Sequence, residues 1–354
     1  MSESMEPKNE SSMADAGTNG PVSRSQRIVS LDVIRGFAVL GILVLNIISF
    51  SMPTAAYSNP LVWGGTDSLS MVLWAIANIF FESKMMAIFS MLFGVGVLMM
   101  NQRSGDSGGG TWLHYRRMLG LLGIGLIHAY LFWYGDILVC YALAGMVFYW
   151  ARLLPTRGLL VLGIVSLAMP SLLFVFVGLS MPYWPAEAVE ENRKEWSPSQ
   201  QQLQAEIDDY RGSYVDQISR RAPLVLVIHG FMLPFFMIWR VGGLMCLGMV
   251  MMRCGVFDGR LQHTVLRRIA RGTLIPGLLM AAIASAIAYK TQWKMEHVMF
   301  LGNNWNYWGS VLVAVGYVCI WVLYLTPRLD QPNAAQGLTA AQEPQTDSQP
   351  ATSP

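Results

Sequence analysis

From about residue 31 to residue 326 the chain is organised as long apolar runs joined by short polar links that carry most of its arginines. The runs are continuously apolar rather than alternating, which predicts helices, not strands. About 20 such residues cross the hydrocarbon core of a bilayer as one helix. Lipid offers no hydrogen bonds to a bare backbone, so only helices or closed barrels cross it. The pattern predicts eight spans, at approximately 31–52, 84–102, 118–134, 137–152, 158–179, 224–252, 272–289 and 309–326. Residues 67–81 (DSLSMVLWAIANIFF) are apolar enough to tempt a ninth. Counting them would put the Arg116-Arg117 link on the wrong side, so they read as a short helix lying at the outer face. That helix leads into the second span through Glu82-Ser83-Lys84. The run 224–252 is too long for one straight span, and a break is expected at Arg240-Val241-Gly242-Gly243. Irregular backbone at membrane depth must be lined by protein or water, so both places are candidate cavity walls.

The arginines of the short links orient the bundle. Arg24, Arg27, Arg103, Arg116, Arg117, Arg152, Arg157 and the group Arg253–Arg271 fall on one side if the span number is even. Both termini are then cytoplasmic, and the mixed-charge loop 180–222 faces outward. Residues 1–26 are rich in Ser, Glu, Asn and Gly, and residues 327–354 in Gln, Pro, Ala, Thr and Ser. Both are expected to be disordered tails flanking a membrane domain at 27–326.

Composition agrees. Apolar residues make up 53% of the chain and charged residues 13%, about half the usual share of a soluble protein, which excludes a soluble fold. The class is therefore all-α, a polytopic membrane helical bundle. A net charge of +2 with no basic block points away from nucleic acid. Cys140, Cys246, Cys254 and Cys319 are far apart, and no Cys/His spacing implies a metal.

Ionisable and amide groups inside spans cost several kcal/mol each and mark function by default. Asp32 and Arg35 share one face of the first helix. Asn46 lies on the same stripe about 16 Å deeper. This is either an interfacial ion pair plus a helix–helix hydrogen bond, or one wall of a polar cavity. His128 lies in an apolar run and Asp136 follows at a Gly135 break. On a continuous helix they stand about 12 Å and about 80° apart, too far for a direct pair. Asp136 then acts on His128 through water or Tyr134. Glu82 and Lys84 are expected at the water interface, and Arg240 near an interface or a phosphate. The stretch Asn303–Trp308 is expected outside the membrane, as aromatic belt or as a place for a sugar-like ligand. FGVG at 93–96 reads as a small-residue packing site.

Four blocks carry a resemblance: RIVSLDVIRGFAVLGILVLNI at 27–47, KMMAIFSMLFGVG at 84–96, the Arg116-Arg117 pair, and GLIHAYLFWYGDIL at 125–138. Their order and content resemble the YeiB-like family of uncharacterised bacterial inner-membrane proteins. A looser likeness from 220 to 326 rests on GLMCLGM at 243–249. Members of that family continue past the position of Pro327 with further helices, including a GRMALTNY-like block, where this chain has its polar tail. The family in turn resembles a superfamily of transmembrane acyltransferases. The resemblance implies that Asp32, Arg35, Asn46 and His128 line an acyl-transfer tunnel, with acyl-CoA entering from the cytoplasm and a small-molecule or glycan acceptor on the outer side.

On that reading His128 is general base or transient acyl carrier, Asn46 an oxyanion donor and Asp136 the group that orients His128. Asp32, Arg35, Lys84, Arg116, Arg117, Tyr134 and Arg240 serve binding, the arginines on CoA phosphates. The alternatives are a permease, which broken helices and midplane polar groups also fit, and a non-catalytic membrane scaffold.

Overall fold

A computed structural model describes residues 29–103, 109–258 and 260–325. The predicted tails at 1–26 and 327–354 lie outside the described residues. All regular structure among the described residues is helical, so the predicted all-α class holds. In chain order the helices are α1 (Val29–Ser51), α2 (Ser68–Phe80), α3 (Lys84–Arg103), α4 (Gly109–Ile127), α5 (Leu138–Val147), α6 (Thr156–Ser180) and α7 (Ala186–Trp196). Then follow α8 (Gln200–Arg211), α9 (Tyr214–Val227), α10 (Ile238–Arg253), α11 (His263–Lys290), the short α12 (Met295–His297) and α13 (Asn303–Leu325).

Six continuous helical runs are long and apolar enough to cross a membrane. They are Ser30–Ser51, Ser68–Met100, Thr156–Tyr183, Tyr214–Arg253, His263–Lys290 and Met295–Leu325. The predicted spans at 118–134 and 137–152 fall on α4 and α5, an antiparallel hairpin whose second arm is a shorter apolar helix, Leu138–Leu153. Leu40, Val161, Leu172, Ile275 and Leu279 are more than half exposed. An apolar exterior of this extent is solvated by lipid, not water.

Lipid cannot drive apolar helices together, so close packing must. Gly94 of α3 and Gly248 of α10 sit at one crossing: a Cβ on Gly94 would lie 2.2 Å from the Met245 carbonyl oxygen, and one on Gly248 would lie 2.1 Å from that of Met91. Gly277 of α11 and Gly309 of α13 meet in the same reciprocal way. The FGVG block is thus a packing site through Gly94.

The links rich in arginine gather at one end of the bundle. There Arg253 donates to the carbonyls of Arg152 (2.5 Å) and Leu154 (2.6 Å). The opposite end is roofed by the polar helices α7 and α8, which occupy the predicted 180–222 loop. Buried Glu206 accepts from the backbone and hydroxyl of Thr54 (2.8 and 2.7 Å), and Trp196 donates to the Trp293 carbonyl (2.7 Å).

Three local expectations are corrected. First, residues 67–81 do not lie apart at the outer face. They form α2, which runs on into α3 through a kink at Phe81–Ser83, with Ser83 at φ 63°. The kink is deep: Met85 packs on Gly41, twelve residues into α1, or about 18 Å from its start. Glu82 and Lys84 are therefore within the bundle. Second, α10 is unbroken at Arg240–Gly243. The irregularity lies earlier, in a π-helical segment Ile228–Met237 containing Pro234, which has no N–H to give the helical ladder. Gly242 and Gly243 instead admit the Phe148 ring and α6. Third, Asn303–Trp308 is the first part of α13 rather than a loop, with Asn306 and Tyr307 buried in the bundle and Trp305 exposed.

Candidate functional site

The α4–α5 hairpin builds one polar centre near the roofed end. After Ile127 the helix widens into a π turn, His128–Phe132, and Trp133 closes it through a backbone bond to the His128 carbonyl (2.8 Å). The chain then reverses over Tyr134-Gly135, with the Trp133 ring folded across Gly135, where no side chain fits. The reversal brings Asp136 back against His128, with Nδ1 2.8 Å from Oδ1. This overturns the expectation that the two are too far apart to pair: the eight residues between them do not continue one helix. The other Asp136 oxygen accepts from Val139 N–H (2.9 Å), and the carboxylate has no exposure.

An ionised Asp136 holds the Nδ1 hydrogen and leaves the Nε2 lone pair of a neutral imidazole directed away from the pair. The His128 side chain keeps 39% exposure, and Nε2 has no partner among the described residues. Around it stand Phe132 and Trp133, with Phe50 of α1 against Trp133 at 4.8 Å between ring centroids. The Trp133 Nε1–H and the Tyr134 hydroxyl are buried without a hydrogen-bond partner among the described residues. Asn46, one turn before Phe50, is half-buried and bonds to no described residue.

Arg221 of α9 holds this turn. It is 4% exposed and donates to three successive carbonyls, Tyr130 (3.2 Å), Leu131 (2.7 Å) and Phe132 (2.5 Å). Tyr214 adds a bond to Leu131 (2.5 Å). A π turn that stops at Trp133 leaves carbonyls without helical donors, and a buried guanidinium satisfies them together. Sequence reasoning missed Arg221 because it lies where a polar loop meets an apolar run, where arginines are ordinarily interfacial. Arg221→Met is expected to destabilise the fold by about 3 kcal/mol or more, since several buried acceptors lose a charged donor. Denaturation of the purified protein checks this, with Arg220→Met, an exposed neighbour, as the mild control.

A second polar centre lies deeper, at the α2–α3 kink. Lys84 is fully buried, and its Nζ donates to the Asn78 carbonyl (2.6 Å) and Asn306 Oδ1 (2.5 Å). The Glu82 carboxylate accepts from Asn78 and from Asn306 (3.2 Å), and Ser285 bonds Asn78 (2.9 Å). Arg240 lies over the Tyr307 ring at 4.0 Å and donates to Ser310 (2.7 Å). It bonds to neither His128 nor Asp136.

The remaining candidates are spread out. Asp32 and Arg35 pair with each other at 3.2 Å, about half exposed, near the arginine-rich end. Arg116 and Arg117 are exposed on α4 at that end, Arg117 against the Met100 sulfur. His114 is buried in α4, stacked on Tyr149 and bonded to the Gly145 carbonyl (3.0 Å). Apart from both polar centres, a hollow of about 670 Å³ opens under the roof, lined by Met181, Trp184, Arg193, Glu296, Leu301 and Trp305. No cluster of three or more His, Cys, Asp or Glu among the described residues could hold a metal.

The chain is 29% identical over 299 residues to the uncharacterised protein YeiB of Escherichia coli K12, an alignment covering 83% of this chain and 74% of that protein. It is 35% identical over 185 residues to the uncharacterised protein YxaH of Bacillus subtilis 168, covering 50% of this chain and 43% of that one. It is also 36% identical over 128 residues to an uncharacterised 39.9 kDa protein from the amylase 3′ region of Bacillus acidopullulyticus, covering 36% and 34%. No family model and no solved structure matches. The chain is thus similar to YeiB and YxaH, and its all-helical bundle has helices long and apolar enough to cross a membrane.

Proposed function

We propose that the chain is a membrane-embedded acyltransferase of the bacterial inner membrane, with eight spans and cytoplasmic termini. It would move an acyl group from acyl-CoA to a hydroxyl or amine of a small-molecule or glycan acceptor on the outer side. One observation carries this reading: the His128–Asp136 pair at 2.8 Å, with the second imidazole nitrogen unpartnered and partly exposed. A carboxylate-oriented imidazole is a general base suited to a neutral acceptor. Nε2 takes the acceptor proton as the acceptor attacks the thioester carbonyl. The C–S bond then breaks and the imidazolium returns the proton to the leaving thiolate. The Asn46 amide, without a bond of its own, suits the developing oxyanion. Trp133 Nε1–H and the Tyr134 hydroxyl suit polar groups of the acceptor. Arg35, Arg116 and Arg117 suit CoA phosphates, with Asp32 holding Arg35 in place. His128 lies nineteen residues into α4, about 28 Å along the helix, so the thioester must travel the length of the bundle.

The test is acyl-CoA binding to purified, detergent-solubilised protein. Binding weakened about tenfold by Arg35→Ala and retained in His128→Ala supports the reading. A folded wild type that binds no acyl-CoA moves the weight to a permease. The kink at Glu82–Lys84 favours that second reading, because broken helices at membrane depth hold transported solutes.

A further inference from the structure

We infer that the deep polar centre between the α2–α3 kink, α10 and α13 is a binding site for a small carboxylate, with Arg240 as its anchor. The inference does not depend on acyl transfer.

The charges there do not balance. Lys84 and Arg240 bring two cations and Glu82 one carboxylate, while every other group facing them is neutral: Asn78, Tyr141, Ser285, Asn306, Tyr307 and Ser310. Glu82 already accepts from two amides and serves the lysine side of the cluster. Glu82 lies within electrostatic reach of both cations and can balance only one of them, so the cluster keeps one positive charge in excess. A lone guanidinium at such depth is costly unless a counter-charge reaches it. Its Nη2 is used by Ser310 and its face by Tyr307, but Nη1 is buried with no hydrogen-bond partner among the described residues. A planar donor edge with one charge to satisfy fits a carboxylate oxygen.

Sodium acetate is the probe and sodium chloride the comparison, titrated into full-length protein in low-salt detergent buffer. Binding is read by calorimetry and by the unfolding temperature. Acetate is expected to bind saturably, about tenfold more weakly to Arg240→Gln and about tenfold more tightly to Glu82→Gln, which removes the competing negative charge. The opposite signs separate the site from a general loss of folding, and Arg268→Gln, on the exposed start of α11, should change nothing. Three results overturn the proposal: an acetate response that does not saturate, equal affinity in wild type and Arg240→Gln, or chloride displacing acetate as well as acetate itself does.

Discussion

On the proposed acyl-transfer reading, Asp136→Asn is expected to reduce turnover by about 10²–10⁴-fold while the protein remains folded. The buried Asp136 carboxylate joins His128 to the backbone of α5. An asparagine there can keep the shape and one hydrogen bond. It no longer fixes which imidazole nitrogen carries the hydrogen, and it cannot stabilise the imidazolium that forms as the acceptor is deprotonated. His128→Ala should cost a similar factor, and the double variant little more than either alone, because the two side chains act as one unit. Turnover of acyl-CoA by the purified variants, with unfolding temperatures as a folding control, checks this. Multiplicative losses in the double variant would mean that the residues work independently, and full activity of His128→Ala would exclude it as the base.

Gly248→Ala is expected to destabilise the bundle by about 3 kcal/mol or more, although alanine is the better helix former by about 1 kcal/mol. The added carbon would lie 2.1 Å from the Met91 carbonyl oxygen, a backbone atom that no rotamer change can move aside. Gly94→Ala meets the Met245 carbonyl in the same way, so either substitution separates α3 from α10. The contacts of Met91, Val95, Met245 and Met249 in the two main apolar clusters loosen with them. Gly96 and Gly120 have open space where a Cβ would go, and alanine there should be neutral or mildly stabilising. Yield of monodisperse protein and thermal unfolding in detergent measure the contrast. Equal behaviour of Gly248→Ala and Gly120→Ala would refute the close crossing.

Several side-chain identities pointed, before the structure did, to places where polar groups gather. His128 and Asp136 stood out because polar groups are rare in apolar runs, and they form the candidate site. Lys84 and Arg240 stood out for the same reason and meet Asn306 and Tyr307 in one cluster. Their distances were misjudged wherever helical regularity was assumed. The His128–Asp136 separation followed from 3.6 residues per turn, and a π turn with a chain reversal removed it. The α10 break was assigned to Gly242-Gly243, whose small size serves packing against Phe148 and α6 instead.

What the sequence alone determined is the solvent of the protein and the nature of its elements. Twenty-residue apolar runs bounded by arginines permit only helices in lipid, because backbone hydrogen bonding there is local and depends on nothing distant. Only the tertiary structure decided which polar residues meet. Arg221 reaches the His128 turn from another helix, some ninety residues along the chain. Lys84 finds Asn306 across more than two hundred. Such pairings are set by where helices kink and how closely glycines let them cross, and these depend on neighbours that are remote in sequence.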